Sequence, residues 1–143
     1  MWDGNGSGAG PLSVTNSTIT GNRSSGVAGG IYSYGGGTIT NSTISGNSTF
    51  NLGGGFFNFA QNAGQGPFTV TNRLISENKS GRGAVQNIGN LTLTNATISG
   101  NTASLSSGGV YNGGSADAIL TERDTAPMKD AGASRGKTGT REA

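Results

Sequence analysis

The sequence predicts an all-β parallel β-helix, a solenoid of about four coils of roughly 25 residues each. Three observations predict it. The phrase TNSTITGN, beginning at Thr15, recurs as TNSTISGN from Thr40, TNRLISEN from Thr71 and TNATISGN from Thr94. A second phrase follows each copy: GGIYS from Gly29, GGFFN from Gly54, GAVQN from Gly83 and GGVYN from Gly108. Within these units apolar residues alternate with polar ones, the period-two signature of a half-buried strand.

Residues 1–11 are a Gly-rich lead-in, and residues 12–120 carry the repeats. The first strand of each unit is set by Leu12 and Val14, Phe68 and Val70, or Leu91 and Leu93. A second strand centres on Ile19, Ile44, Ile75 and Ile98, and a third on Ile31, Phe56, Val85 and Val110. Helices are not expected, because Gly, Thr, Asn and Ser are poor helix formers and no 3.6-residue period appears. Measured at Asn16, Asn41, Asn72 and Asn95, the steps are 25, 31 and 23 residues. The long step reflects six residues inserted within Asn58–Pro67, a segment of loop composition. The short one arises because Asn78 to Val85 is 7 residues where the other units have 9. A stacked coil tolerates such local changes, since each unit touches only its neighbours.

Stacking places like residues over one another, about 4.8 Å apart. The expected core is three columns: Val14, Ile39, Val70, Leu93; Ile19, Ile44, Ile75, Ile98; and Ile31, Phe56, Val85, Val110. Asn16, Asn41, Asn72 and Asn95 are expected to form one corner ladder of side-chain amides, and Asn22, Asn47, Asn78 and Asn101 a second. Asn also tolerates the left-handed backbone that sharp corners need. Phe56 is assigned to the core, and Phe57 and Phe59 to packing at the base of the 58–67 loop or, alternatively, to contact with a partner.

Composition narrows the function classes. Twenty-eight Gly and 31% hydrophobic residues are too polar for an ordinary globule. Disorder does not fit residues 12–115, where charge is sparse and Thr, Ile and Val recur at fixed spacing. A net charge of +2 gives no case for a nucleic-acid partner. Residues 121–143 hold nine of the sixteen charges, among them Arg135, Lys137 and Arg141, and read as a disordered, solvated tail. With no Cys there is no disulfide or thiolate metal site. No apolar run is long enough for a membrane span, and the first residues do not form a signal peptide. The Asn-x-Ser/Thr triplets at Asn16, Asn41, Asn47 and Asn95 are products of the repeat and not a case for glycosylation.

Gly29-Gly30-Ile31-Tyr32, Gly108-Gly109-Val110-Tyr111 and Ile19-Thr20-Gly21-Asn22 resemble the phrases of the pectin-lyase-like superfamily. They are especially similar to bacterial surface and secreted proteins related to polymorphic outer membrane proteins. The resemblance covers about residues 12–115. It implies a right-handed coil, an extracellular or cell-surface location, and a glycan or a host or cell-surface protein as partner. It carries fold far better than activity. Such proteins are usually longer, so the chain reads as a piece of a larger solenoid whose uncapped ends favour end-to-end self-association.

Catalysis is not expected. The repeat body has Asp3, Glu77 and Asp117 in different units and no His, and a lone carboxylate cannot supply both acid and base. Glu77 is expected to sit in a paired surface cluster with Arg73, Lys79 and Arg82. No cofactor or metal site is expected, and the triple glycines lack the Lys-Ser/Thr of a phosphate loop. One surface pattern stands out: Ser13 and Thr15, Thr38 and Thr40, Thr69 and Thr71, Thr92 and Thr94 form two outward columns. They resemble the Thr-x-Thr arrays of ice-binding β-solenoids, although Thr also suits any solvent-facing strand. The primary expectation is a non-catalytic structural or adhesive module. The alternatives are an ice-binding solenoid and a degenerate polysaccharide lyase scaffold that still binds carbohydrate.

Overall fold

The computed structural model describes residues 2–3, 10–60, 66–106, 108–113, 118–121 and 129–131. In chain order its strands begin with β1 (Trp2–Asp3). The first coil holds β2 (Leu12–Thr15), β3 (Thr18–Thr20), β4 (Arg23–Ser24) and β5 (Ile31–Ser33). The second holds β6 (Gly37–Thr40), β7 (Thr43–Ser45), β8 (Ser48–Thr49) and β9 (Phe56–Phe59). The third has β10 (Phe68–Ser76), β11 (Lys79–Ser80) and β12 (Val85–Ile88). The fourth has β13 (Leu91–Ser99), β14 (Thr102–Ala103) and β15 (Val110–Gly113), after which come β16 (Ala118–Thr121) and β17 (Lys129–Ala131). Every pairing is parallel and joins one coil to the next. The fold is an all-β parallel solenoid of about four turns.

Three sheets form its sides. The threonine sheet runs β16-β13-β10-β6-β2 and continues around a corner through β7 and β3. In the third and fourth coils its two halves fuse into nine-residue strands bent at Asn72 and Asn95. The six-stranded sheet runs β1-β5-β9-β12-β15-β17. The short-strand sheet, β14-β11-β8-β4, is one the sequence pattern does not predict, because two-residue strands show no apolar alternation. Strand pairing also reaches past the expected limits. Trp2–Asp3 pairs with Tyr32–Ser33, and Lys129–Ala131 pairs with Tyr111–Gly113. An uncovered sheet edge offers unpaired N–H and C=O groups, and these segments take them. Phe59 ends β9, so the inserted loop starts later than Asn58, and residues 61–65 of it lie outside the described residues.

The core columns stack in register. Val14, Ile39, Val70 and Leu93 pair in turn, as do Ile19, Ile44, Ile75 and Ile98, and Ile31, Phe56, Val85 and Val110. All are buried except Ile19, which sits half-buried in the first coil. Phe68 and Leu91 add to the interior, and the Phe68 ring packs 4.6 Å from that of Phe56. Phe68 stands in register with Gly37, where a side chain would run into the Leu12 backbone. The glycine phrase has its own reason: a Cβ at Gly54 would lie 2.8 Å from the Lys79 carbonyl oxygen, where two sheets meet too closely for a side chain.

The two expected asparagine ladders behave differently. Asn16, Asn41, Asn72 and Asn95 all have φ near +50°, at 49°, 47°, 51° and 50°, and all are exposed. They are not a continuous ladder: only Asn95 Nδ2 donates to Asn72 Oδ1, at 3.2 Å, and the Asn16 and Asn41 amides make no hydrogen bond. Their conformation, which Asn tolerates, accounts for the residue type. In the set Asn22, Asn47, Asn78 and Asn101, Asn47 and Asn78 are fully buried, Asn101 is half-buried and Asn22 is exposed. The Oδ1 of Asn47, Asn78 and Asn101 each accepts both the backbone N–H and the Nδ2 of the Asn one coil earlier, at 2.9–3.2 Å. Their Nδ2 atoms also donate to the carbonyls of Ile19, Ile44 and Ile75. A further ladder joins Asn58, Asn87 and Asn112 at 2.8 and 2.7 Å, and it occupies the last position of the GGFFN, GAVQN and GGVYN phrases.

Asn78 is fully buried, and replacing it with Ala strands the Asn47 backbone N–H and one Asn47 amide hydrogen. Each unmet buried donor costs about 1–3 kcal/mol. Asn78→Ala should therefore lower the urea midpoint by the equivalent of about 2–5 kcal/mol, measured by circular dichroism. Asn16→Gly should cost only a few tenths, roughly, because glycine adopts the same φ freely.

Candidate functional site

Two outer surfaces carry ordered polar groups. On the threonine sheet Ser13, Thr38, Thr69 and Thr92 stand in one register column, and Thr15, Thr40, Thr71 and Thr94 in the next. The alternation of exposed and buried residues turns them outward. Ser13, Thr15 and Thr38 are exposed, and Thr40, Thr69, Thr71, Thr92 and Thr94 are half-buried. Beyond the fourth coil the register brings Thr121 beside Thr94 and Ile119 beside Thr92. Around the corner a further hydroxyl column, Thr20, Ser45, Ser76 and Ser99, runs unbroken, with Ser45 Oγ 3.3 Å from Thr20 Oγ1. The neighbouring column, Thr18, Thr43 and Thr97, is interrupted by exposed Leu74.

The second surface is a groove of about 780 Å³ along the short-strand sheet. Its floor is the register column Arg23, Ser48, Lys79, Thr102, one residue from each coil. These residues directly follow the asparagines of the second ladder, so the ladder fixes where they emerge. Phe50 stands beside the groove 68% exposed, with the Arg23 guanidinium carbon 5.4 Å from its ring centroid. Glu77 lines the same groove and holds φ of +56°, where the corresponding corners use Gly21, Gly46 and Gly100. Aligning the four Asn-x positions, which give Arg, Ser, Lys and Thr, is the signal from which this column can be read.

The expected paired cluster around Glu77 does not form. Arg73 points into the coil and is 4% exposed, Arg82 lies over the Tyr111 ring at 5.6 Å, and Glu77 makes no ion pair among the described residues. The cause is parity: Ile75 faces inward, so Arg73, two residues earlier on the same strand, faces inward too. Arg73 occupies the position of Ser42 and Ala96 in the adjoining coils, and these small neighbours leave room for its long stem. None of its three guanidinium nitrogens has a hydrogen-bond partner, and burial pushes its pKa down to about 10. The aromatic residues settle as packing: Phe57 is buried against Tyr32 and Phe59 stacks on Tyr34, each pair at 5.2 Å.

No family model, curated protein or solved structure matches this chain. Its surfaces therefore have to be read from their own chemistry. The described residues contain no group of three or more His, Cys, Asp or Glu that could hold a metal ion. Among them, no helix is long and apolar enough to cross a membrane.

Arg73 is the clearest energetic fault in the molecule. The lowering of its pKa to about 10 by burial corresponds to about 3 kcal/mol. Arg73→Ser, which restores the residue found at Ser42, should raise stability by about that amount below pH 9. The unfolded chain binds the proton more tightly than the folded one, so wild-type stability rises as pH climbs above about 10. The gap between wild type and Arg73→Ser should therefore stay constant from pH 6 to 9, roughly, and narrow above pH 10, in urea melts across that range.

Proposed function

We propose that this chain is a non-catalytic structural or adhesive module of a secreted or cell-surface bacterial protein, and that it holds a glycan along its length. The observation carrying this reading is the groove over the short-strand sheet, where every coil adds one polar or charged residue to a straight column beside an exposed aromatic ring. An extended polymer meets such a surface repeatedly, and many weak contacts add up to useful affinity. The glycine and Ile-x-x-Asn phrases support a place in the pectin-lyase-like superfamily, a right-handed coil and an extracellular location. In the groove Glu77 is the one carboxylate, which suits binding rather than paired acid–base cleavage. A lyase-like scaffold that keeps sugar binding without cleavage gives the same reading of this surface.

The register of the threonine columns favours ice as a second ligand, because paired hydroxyls repeat about every 4.8 Å along the axis and about 6.6 Å along the strand. The two readings separate cleanly. On a glycan array the wild-type protein should retain a defined set of sugars, and Phe50→Ala combined with Lys79→Ser should lower retention about ten-fold while the fold persists. Failure to retain any glycan would sink the adhesive reading. For ice, thermal hysteresis should appear and vanish in Thr40→Leu with Thr71→Leu, and its absence from the wild type ends that alternative.

A further inference from the structure

We infer that the groove takes an alternating acidic polysaccharide, with one acidic and one uncharged sugar per repeat, laid along the solenoid axis. The inference rests on the glycan-binding reading above and names the class of glycan. The floor column alternates cation, hydroxyl, cation, hydroxyl: Arg23, Ser48, Lys79, Thr102. Coils rise by about 4.8 Å, which places the backbones that carry the two cations about 9.6 Å apart. One pyranose advances an extended glycan by close to one coil, so successive sugars meet successive coils. Acidic groups on every second sugar then fall on Arg23 and Lys79.

The two hydroxyl coils suit uncharged sugars. At the second coil, Phe50 presents an exposed ring beside Ser48, a surface for the apolar face of a neutral or N-acetylated sugar. Arg23 lies against the same ring, which holds its charge at the groove's edge. Glu77, on the third coil two residues before Lys79, brings a carboxylate into the same groove as Thr102. That carboxylate accepts hydrogen bonds from hydroxyl or amide N–H groups and repels an acid. A homopolymer of acidic sugars would place carboxylates over Ser48 and Thr102, where the column offers no cation. The groove selects against it by like charge as well as by missing partners.

Titration calorimetry or NMR titration with three probes tests this: a hyaluronan decasaccharide, an oligogalacturonate of matched length and a neutral chito-oligosaccharide. Hyaluronan should bind about ten-fold tighter than either of the others and lose affinity as NaCl is raised. Arg23→Ser and Lys79→Ser should each weaken hyaluronan binding about two- to five-fold, in line with exposed ion pairs. Both side chains are exposed, so folding should be kept, as melting curves will show. Glu77→Gln, which removes this carboxylate from the groove, should raise oligogalacturonate affinity. Oligogalacturonate binding as tight as hyaluronan, or neutral binding indifferent to Arg23 and Lys79, overturns the alternation while leaving glycan binding standing. If none of the three probes binds and the glycan array is also blank, both readings fall together.

Discussion

Each coil of this protein passes its backbone hydrogen bonds to the coil beside it, and the rest of the structure follows from that constraint. The Asn16 N–H reaches the Thr40 carbonyl, Asn41 reaches Thr71, and Ile31 reaches Gly55. Among the described residues, no strand pairs with another strand of its own coil. A single coil would leave its polar backbone unmet and its few apolar side chains exposed, so it has no structure of its own. Parallel pairing without stagger also stacks each residue over its counterpart. A repeated sequence thus becomes continuous columns of one chemistry: isoleucine and valine within, hydroxyls without, and amides at the turns. Both the core and the candidate binding surface are consequences of one spacing.

The third coil departs from the pattern most. It carries the inward Arg73, the outward Leu74, the left-handed Glu77 and a connection shortened between Asn78 and Val85. The second and fourth coils, regular on either side, hold its register: β10 pairs along its length with β13 on one side and with β6 and β7 on the other. A buried cation without a partner survives because its neighbours in the column are small and because the flanking strands fix the backbone. The same coil supplies Lys79 and Glu77 to the groove. Irregularity and chemical distinctiveness therefore coincide in one layer, as happens where local strain is tolerated for the sake of a surface.

Most of the architecture was legible from the sequence because period two and period 25 act on the same residues. Alternation located Val14, Ile19 and Ile31, and the repeat then assigned their counterparts. The short-strand sheet was not legible, since Arg23–Ser24 or Lys79–Ser80 is too brief to show alternation. Neither was the contrast between the asparagine sets. Both Asn16 and Asn22 recur in every unit, but only backbone direction distinguishes an exposed left-handed corner from an inward amide. Arg73 was misread through its company in sequence. Glu77 and Lys79 suggested a charged patch, whereas counting back by two from Ile75 gives the inward face. The hydroxyl columns were readable because they lie on strands whose alternation is clear. The groove was missed because its column follows the ladder asparagines, outside any apolar pattern.

The buried amide ladder also has a direction. From Asn22 to Asn47, Asn78 and Asn101, each Nδ2 donates toward the following coil, and the Asn58–Asn87–Asn112 series runs the same way. Their dipoles add head to tail along the axis, each bond polarising the next. The solenoid is consequently a polar object with two unlike faces. The ladder begins on an amide oxygen that can accept and finishes on a coil whose carboxamide can donate. Any strand, coil or second molecule that extends the ladder must arrive in one orientation, so growth along this axis is vectorial.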